Sequence, residues 1–141
     1  MNSELPDDLV AQYRQADYEV CFGSDVFVVN IDQYSGSMKK LMIAKKASNA
    51  AIITAYNPLG RLQCIRKNLR AHLSLQRAFK RHQGFLIESV GIDPAGIWPD
   101  EAGFCVLDVS LETICKLGLR FRQNAIVWIE NDAVPRLHLL R

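Results

Sequence analysis

The sequence predicts an α+β fold. The expected architecture is a mixed, mostly antiparallel sheet with helices on one face. Its center is a ferredoxin-like split β-α-β core over residues 51–130, extended by an N-terminal β-α unit and a C-terminal strand. Three observations lead there. Between Ala51 and Glu130 the segments read strand, helix, strand, strand, helix, strand. The run Ala51-Ile52-Ile53-Thr54-Ala55-Tyr56 is apolar at all but one position, the mark of a strand covered on both faces. The 141 residues, 49% hydrophobic and 23% charged, suffice for one core and contain no repeat, low-complexity tract or linker, so one domain over 1–141 is expected.

Each element has a local reason. Pro6-Asp7-Asp8 starts a short helix, with proline preset for the first turn and acids at its positive end, and Leu9, Val10 and Tyr13 give it an apolar side. Asp25 to Ile31 is β-branched and aromatic, a strand. Asp32 to Gly36 is loop chemistry; Ser37 then caps a helix over Met38 to Lys46, with Met38, Leu41, Met42 and Lys45 at helical spacing. Asn57-Pro58 ends the strand from Ala51, because proline lacks a donor and restricts its predecessor. Arg61 to His82 is the longest predicted helix, its inner stripe Leu62, Ile65, Leu69, Leu73 and Phe79, and Gln83-Gly84 stops it. Strands follow at Phe85 to Ile92 and Gly103 to Val109, joined through the turn Asp93-Pro94-Ala95-Gly96. Ser110 caps a helix over Leu111 to Phe121, with Ile114, Leu117 and Phe121 inward. Asn124 to Glu130 is a strand, and Pro135 to Leu140 a last one, placed at an edge by its proline.

Composition narrows the function. A net charge of +2 does not by itself imply a nucleic-acid partner. Cys21, Cys64, Cys105 and Cys115 show no CxxC spacing and read as reduced, structural thiols. The acidic start of the chain has no signal-peptide core, and no apolar run approaches the roughly 20 residues that span a bilayer, so no membrane association and a cytoplasmic location are expected. His72, His82 and His138 have no ligand spacing, and the glycines form no phosphate-cradling loop. Cys64 and His72 are two turns apart on one helix, too far for a catalytic pair. No metal, cofactor or catalytic residue is therefore assigned.

Two features carry chemistry. The first is a set of polar groups at strand ends and beside them: Thr54, Asn57, Asn68, Glu101, Gln123 and Asn124. Amides both donate and accept, which suits recognition of a base, a sugar or a peptide backbone. Glu101 is the one general base in the set, provided burial raises its pKa. The same residues also suit turn formation and the satisfaction of orphan helix carbonyls, and that alternative stays open. The second feature is the basic helix, where Arg66, Lys67, Arg70, Arg77 and Arg81 have no acid to balance them. They form either a solvated face, a surface for nucleic acid or another polyanion, or a site for an acidic protein. Trp98, in a loop, either lids a pocket or pins that loop.

Four segments in this order resemble the bacterial domain-of-unknown-function 3293 family: Ile53-Thr54-Ala55-Tyr56-Asn57-Pro58, the helical Asn68, Trp98 to Phe104, and Phe121 to Trp128. The resemblance covers about 25–140 and implies domain limits without an activity. The chain departs from the family pattern at Lys67 for a glutamate, His72 for an asparagine, Gly103 for a serine and Arg122 for a glycine. The functional expectation is a small binding or regulatory domain whose polar pocket takes a small molecule or a protein segment. The alternatives are a nucleic-acid-binding module using helix 61–82, or an enzyme on a nucleotide-like substrate with Glu101 as base.

Overall fold

Seven strands and four helices make up the described part of the chain, residues 3–82 and 84–141 of a computed structural model. In order they are α1 (Asp7–Gln15), β1 (Asp17–Phe22), β2 (Asp25–Val29), α2 (Gly36–Ala44), β3 (Ala50–Thr54), α3 (Ile65–Phe79), β4 (Phe85–Ile92), β5 (Glu101–Leu107), α4 (Leu111–Arg120), β6 (Ala125–Ile129) and β7 (Pro135–Leu139). A single 3-10 turn, Pro58–Gly60, separates β3 from α3. The fold is α+β, and the strands form one curled half-barrel sheet in the order β2-β1-β4-β5-β3-β6-β7.

The sheet expected to be mixed is antiparallel at every neighboring pair. The strands of the 51–130 stretch stand together as β4-β5-β3-β6 at its center. β1 is an addition to the expected elements. Its Tyr18, Val20 and Phe22 alternate with Asp17, Glu19 and Cys21, and Gly23-Ser24 folds it back on β2, with Phe22 opposite Asp25 and Gly23 at φ +61°. β7 lies at the sheet edge, as its proline requires.

Helices occupy both faces of the sheet, which corrects the one-face expectation. The reason is strand periodicity: successive side chains point to opposite faces, so a sheet of mostly apolar strands has two faces to cover. On the outer face Ala51, Ile53, Phe104, Val106 and Ile126 pack with Leu75, Ala78 and Phe79 of α3 and Ile114 and Leu117 of α4. On the inner face Val20, Ile52, Ile87, Cys105 and Val127 pack with Met38, Leu41 and Met42 of α2. The loop after β2 closes the curl, the Asp32 N–H donating to the Pro135 carbonyl (2.7 Å) and that of Ser35 to Ala133 (3.0 Å). No described helix is long and apolar enough to cross a membrane.

Helix starts and stops follow local chemistry. Ser35, not Ser37, caps α2, its side chain accepting from the Met38 N–H at 3.0 Å. Ser110 caps α4 as expected, accepting from the Thr113 N–H at 3.2 Å. The C-terminus of α4 is closed by Gln123 N–H to the Gly118 carbonyl (2.8 Å) and Arg122 N–H to Leu119 (3.0 Å), with Arg122 left-handed at φ +56°. α3 ends at Phe79; of the Gln83-Gly84 stop, Gln83 lies outside the described residues, as do Met1 and Asn2 of the N-terminal segment.

The inner stripe expected for α3 is wrong at four of its five positions. Leu62, Ile65, Leu69 and Leu73 are 61%, 62%, 48% and 48% exposed, whereas Asn68, Leu75, Ala78 and Phe79 are buried. Two apolar-compatible stripes exist on this helix. The one that meets the sheet carries Asn68, because that amide has partners in the preceding turn.

Candidate functional site

A cavity of about 130 Å³ opens at one end of the inner face, between the sheet and α1. Its position follows from side-chain size along the strands. The cross-sheet row Ile87, Cys105, Ile52, Val127 is filled with side chains and belongs to the core shared with α2. The next inner row is Val20, Ser89, Gly103, Thr54, and the row beyond it is Tyr18, Gly91, Glu101. Serine and two glycines leave space that α1 bridges with Leu9 and Tyr13. Gly103 is required by close approach of β5 to β3: a Cβ there would meet the Ile53 carbonyl oxygen at 2.4 Å, so no side chain has room at this position.

Five of the six polar residues selected from the sequence line this one cavity: Thr54, Asn57, Glu101, Gln123 and Asn124. The sixth, Asn68, stands behind it. Asn68 Oδ1 accepts from the Asn57 backbone N–H (2.9 Å) and from Gln63 Nε2 (2.7 Å), and its Nδ2 donates to Asn57 Oδ1 (3.1 Å). The Gln63 N–H donates to the same Asn57 oxygen at 3.1 Å. Asn57 itself is left-handed at φ +47°, a conformation asparagine tolerates, and this conformation starts the turn before α3. The outcome is a fixed Asn57 whose Nδ2 donates to Glu101 Oε2 at 2.7 Å.

Glu101 is the first residue of β5, two residues earlier than the strand start expected at Gly103. Trp98 Nε1 also donates to its Oε2, at 3.0 Å. The loop that presents Trp98 is tied to Asp93, whose carboxylate accepts from the N–H groups of Ala95, Ile97 and Trp98. Those bonds, that of Trp98 foremost, hold the Asp93 carboxyl below its ordinary pKa. Trp98 thus both pins its loop and lines the cavity. Burial raises the Glu101 pKa, and the donors Trp98 and Asn57 offset part of that rise.

The remaining amides point their nitrogens at protein. Gln123 Nε2 donates to the carbonyls of Tyr56 (3.1 Å) and Phe121 (3.3 Å). Asn124 Nδ2 donates to the Tyr13 hydroxyl at 3.1 Å. Thr54 is spent on strand geometry, donating to the Ala102 carbonyl (2.7 Å) and accepting from Tyr56 N–H (3.0 Å). Among the described residues, no donor reaches Glu101 Oε1, Gln123 Oε1 or Asn124 Oδ1. No Lys, Arg or His lines the cavity among the described residues. Sequence reasoning missed Tyr13, Tyr18 and Ser89 as cavity residues. The strand alternation of Tyr18 was the available signal; Ser89, the one polar residue in the alternating set Ile87, Ser89, Gly91, was the other.

The five cations selected for the basic face are all exposed: Arg66, Lys67, Arg70 and Arg77 lie on α3, and Arg81 lies just past its end. Lys67 also faces an open depression with Arg120 and Arg122. This surface is separate from the cavity, and the exposed Leu62, Ile65, Leu69 and Leu73 share it. Among the described residues, no group of three or more His, Cys, Asp or Glu is placed to hold a metal ion.

The fold and cavity define an α+β protein with a curled antiparallel sheet and a polar-mouthed pocket at the sheet's open end. The chain belongs to the family described as Protein of unknown function (DUF3293), whose model matches residues 53–126. The matched stretch contains Asn57, Asn68, Glu101, Gln123 and Asn124, and leaves α1, β1, β2, α2 and β7 outside it. No curated protein and no solved structure matches the chain.

Proposed function

We propose that this protein, acting as one domain, binds a small organic molecule in the cavity beside Glu101. One observation supports the reading above the others: Glu101 is oriented through Oε2 by two donors while no donor among the described residues reaches Oε1, at the wall of a cavity. That oxygen is not sealed inside the protein, so it is free to accept a hydrogen bond from a molecule in the cavity. The pocket's size is close to the about 150 Å³ that holds one benzene-sized molecule. Ile52 and Val127 supply an apolar floor, and the polar groups stand at one end, the usual division of labor in a ligand site. Asn68 and Asn57 act as positioning residues for the carboxylate. Among the described residues, no Cys or His lines this cavity beside Glu101, so binding is favored over turnover.

The test is a fragment screen followed by NMR. Fragments that bind should shift the Trp98 indole N–H and the amides of Glu101 and Asn124 together. Binding elsewhere, with those signals unmoved by every fragment at millimolar concentration, would refute the reading.

A second reading rests on α3 and the turn after it: four exposed cations on a helix with no acid, and Arg81 just beyond it, suit contact with a nucleic-acid backbone. Affinity for a short oligonucleotide should then fall steeply between 50 and 200 mM salt, as for about six phosphate contacts. An R66E/R70E variant should lose that binding; no binding by the unaltered protein at low salt excludes it.

A further inference from the structure

We infer that the molecule taken by this cavity is a primary amine, bound as its ammonium ion with the nitrogen toward Glu101. The inference rests on the binding function proposed above and adds the chemical class of the ligand.

Three lines converge. The first is the direction of the hydrogen bonds. Gln123 Nε2 faces two carbonyls, which only accept, so its nitrogen is fixed there and its Oε1 is left over. Asn124 likewise turns its nitrogen to Tyr13. With Glu101 Oε1, the cavity presents three acceptor oxygens that have no donor among the described residues. A ligand that satisfies them is rich in donors, and an ammonium group has three N–H donors and no acceptor.

The second line is charge. Glu101 is a half-buried carboxylate, no Lys, Arg or His among the described residues lines the cavity wall, and Asp93 is the other charged residue there. An anion placed at this end would meet two like charges and no cation. A neutral donor would satisfy the hydrogen bonds but leave the half-buried charge uncompensated. A cation does both, and a charge-assisted hydrogen bond is about twice as strong as a neutral one.

The third line is the wall itself. Tyr13, Tyr18 and Trp98 all line the cavity, and aromatic faces attract a desolvated cation. The floor of Ile52, Val127 and Leu137 gives the carbon skeleton of such an amine an apolar surface.

The experiment uses three probes of one carbon skeleton and three charges: isobutylammonium, isobutanol and isobutyrate. Each is titrated into the full chain at neutral pH while the Trp98 indole N–H and cavity amides are followed by NMR. Isobutylammonium should bind at least ten-fold more tightly than isobutanol, and isobutyrate should leave the signals unmoved. In Glu101→Gln, whose fold is checked by its amide spectrum, the advantage of the cation over the alcohol should vanish. If isobutanol binds the unaltered protein as tightly as the ammonium ion, the amine assignment is overturned and the binding site stands. An unchanged preference for the cation in Glu101→Gln also overturns the assignment, because the charge recognized would not be this carboxylate. If no probe of any charge moves the cavity signals, the inference fails, and the fragment screen then decides separately whether the site binds anything.

Discussion

A half-buried carboxylate without a cation beside it weakens the fold that holds it, and among the described residues Glu101 is such a group. Burial raises its pKa above the ordinary 4.5, with the bonds from Trp98 and Asn57 offsetting part of the rise. The folded chain therefore keeps this proton to higher pH than the unfolded chain does. Stability from the group is fully present below about 4.5 and is lost as pH rises through the raised folded value. Tyr13 and Tyr18 also face this end of the cavity, but burial raises both, so they stay neutral through the window; Asp93 is held low and stays charged. Glutamine at position 101 keeps an oxygen to accept from Asn57 and Trp98 and removes the charge. Glu101→Gln is accordingly expected to be at least as stable as the unaltered protein at pH 8, with an advantage that shrinks toward pH 4.5. Urea midpoints of both proteins across that range check it; an advantage that grows toward acid pH would contradict the raised pKa. A carboxylate retained at a cost to stability is what a recognition role accounts for.

At the scale of elements, α3 decides how much of the fold can be read from the chain. The strand Phe85–Ile92 and the cap Ser110 were legible because alternation and capping are local. So were the cavity-lining Asn57, Glu101, Gln123 and Asn124, since polar groups interrupting apolar runs stand out wherever the strands go. The rotation of α3 was not legible. Periodicity favors the face with Ile65, Leu69 and Leu73, but the face that packs carries Asn68, whose partners Asn57 and Gln63 lie in the preceding turn. Hydrophobic patterning weighs side chains one helix at a time and cannot see a polar pair that is satisfied across a junction. Arg122 hid its own turn in a similar way, taking at φ +56° the left-handed position that glycine usually fills, at a cost of about 1–2 kcal/mol. Substitution tests the rotation directly. Leu69→Ala should change stability by no more than about 0.5 kcal/mol, the surface value. Leu75→Ala should cost about 2–5 kcal/mol as a core truncation. Asn68→Ala, which strands the Asn57 N–H and the Gln63 amide, should fall between, at about 1–3 kcal/mol. Urea denaturation ranks the three, and a Leu69 effect as large as that of Leu75 would mean the helix is turned the other way.

The whole molecule is a curl with its inner face filled at one end and open at the other. α2 and the loop that ties Asp32 to Pro135 fill the first end with large side chains. Toward the second end the inner rows shrink to Ser89, Gly103 and Gly91, and α1 spans the gap without filling it. Such a gap is either tolerated poor packing or space kept for a ligand, and the two differ in what happens when it is closed. Ser89 is 2% exposed, sits in the cavity wall between Val20 and Gly103, and lies on a strand, so a β-branched replacement suits both backbone and surroundings. Ser89→Ile should stabilize the apo protein by about 1 kcal/mol, the usual gain from filling a cavity, or roughly 4 °C in Tm. Where isoleucine overfills the space, the smaller Ser89→Val should carry the gain in its place. With binding as the function, the same variants should lose isobutylammonium at least ten-fold while their Glu101 and Trp98 signals stay in place. Stabilization with unchanged affinity would make the cavity a packing defect and place recognition elsewhere on the molecule. Stabilization with lost affinity would show that the small residues of β4 and β5 hold the sheet's open end apart for a guest, and that the chain gives up packing there to keep it.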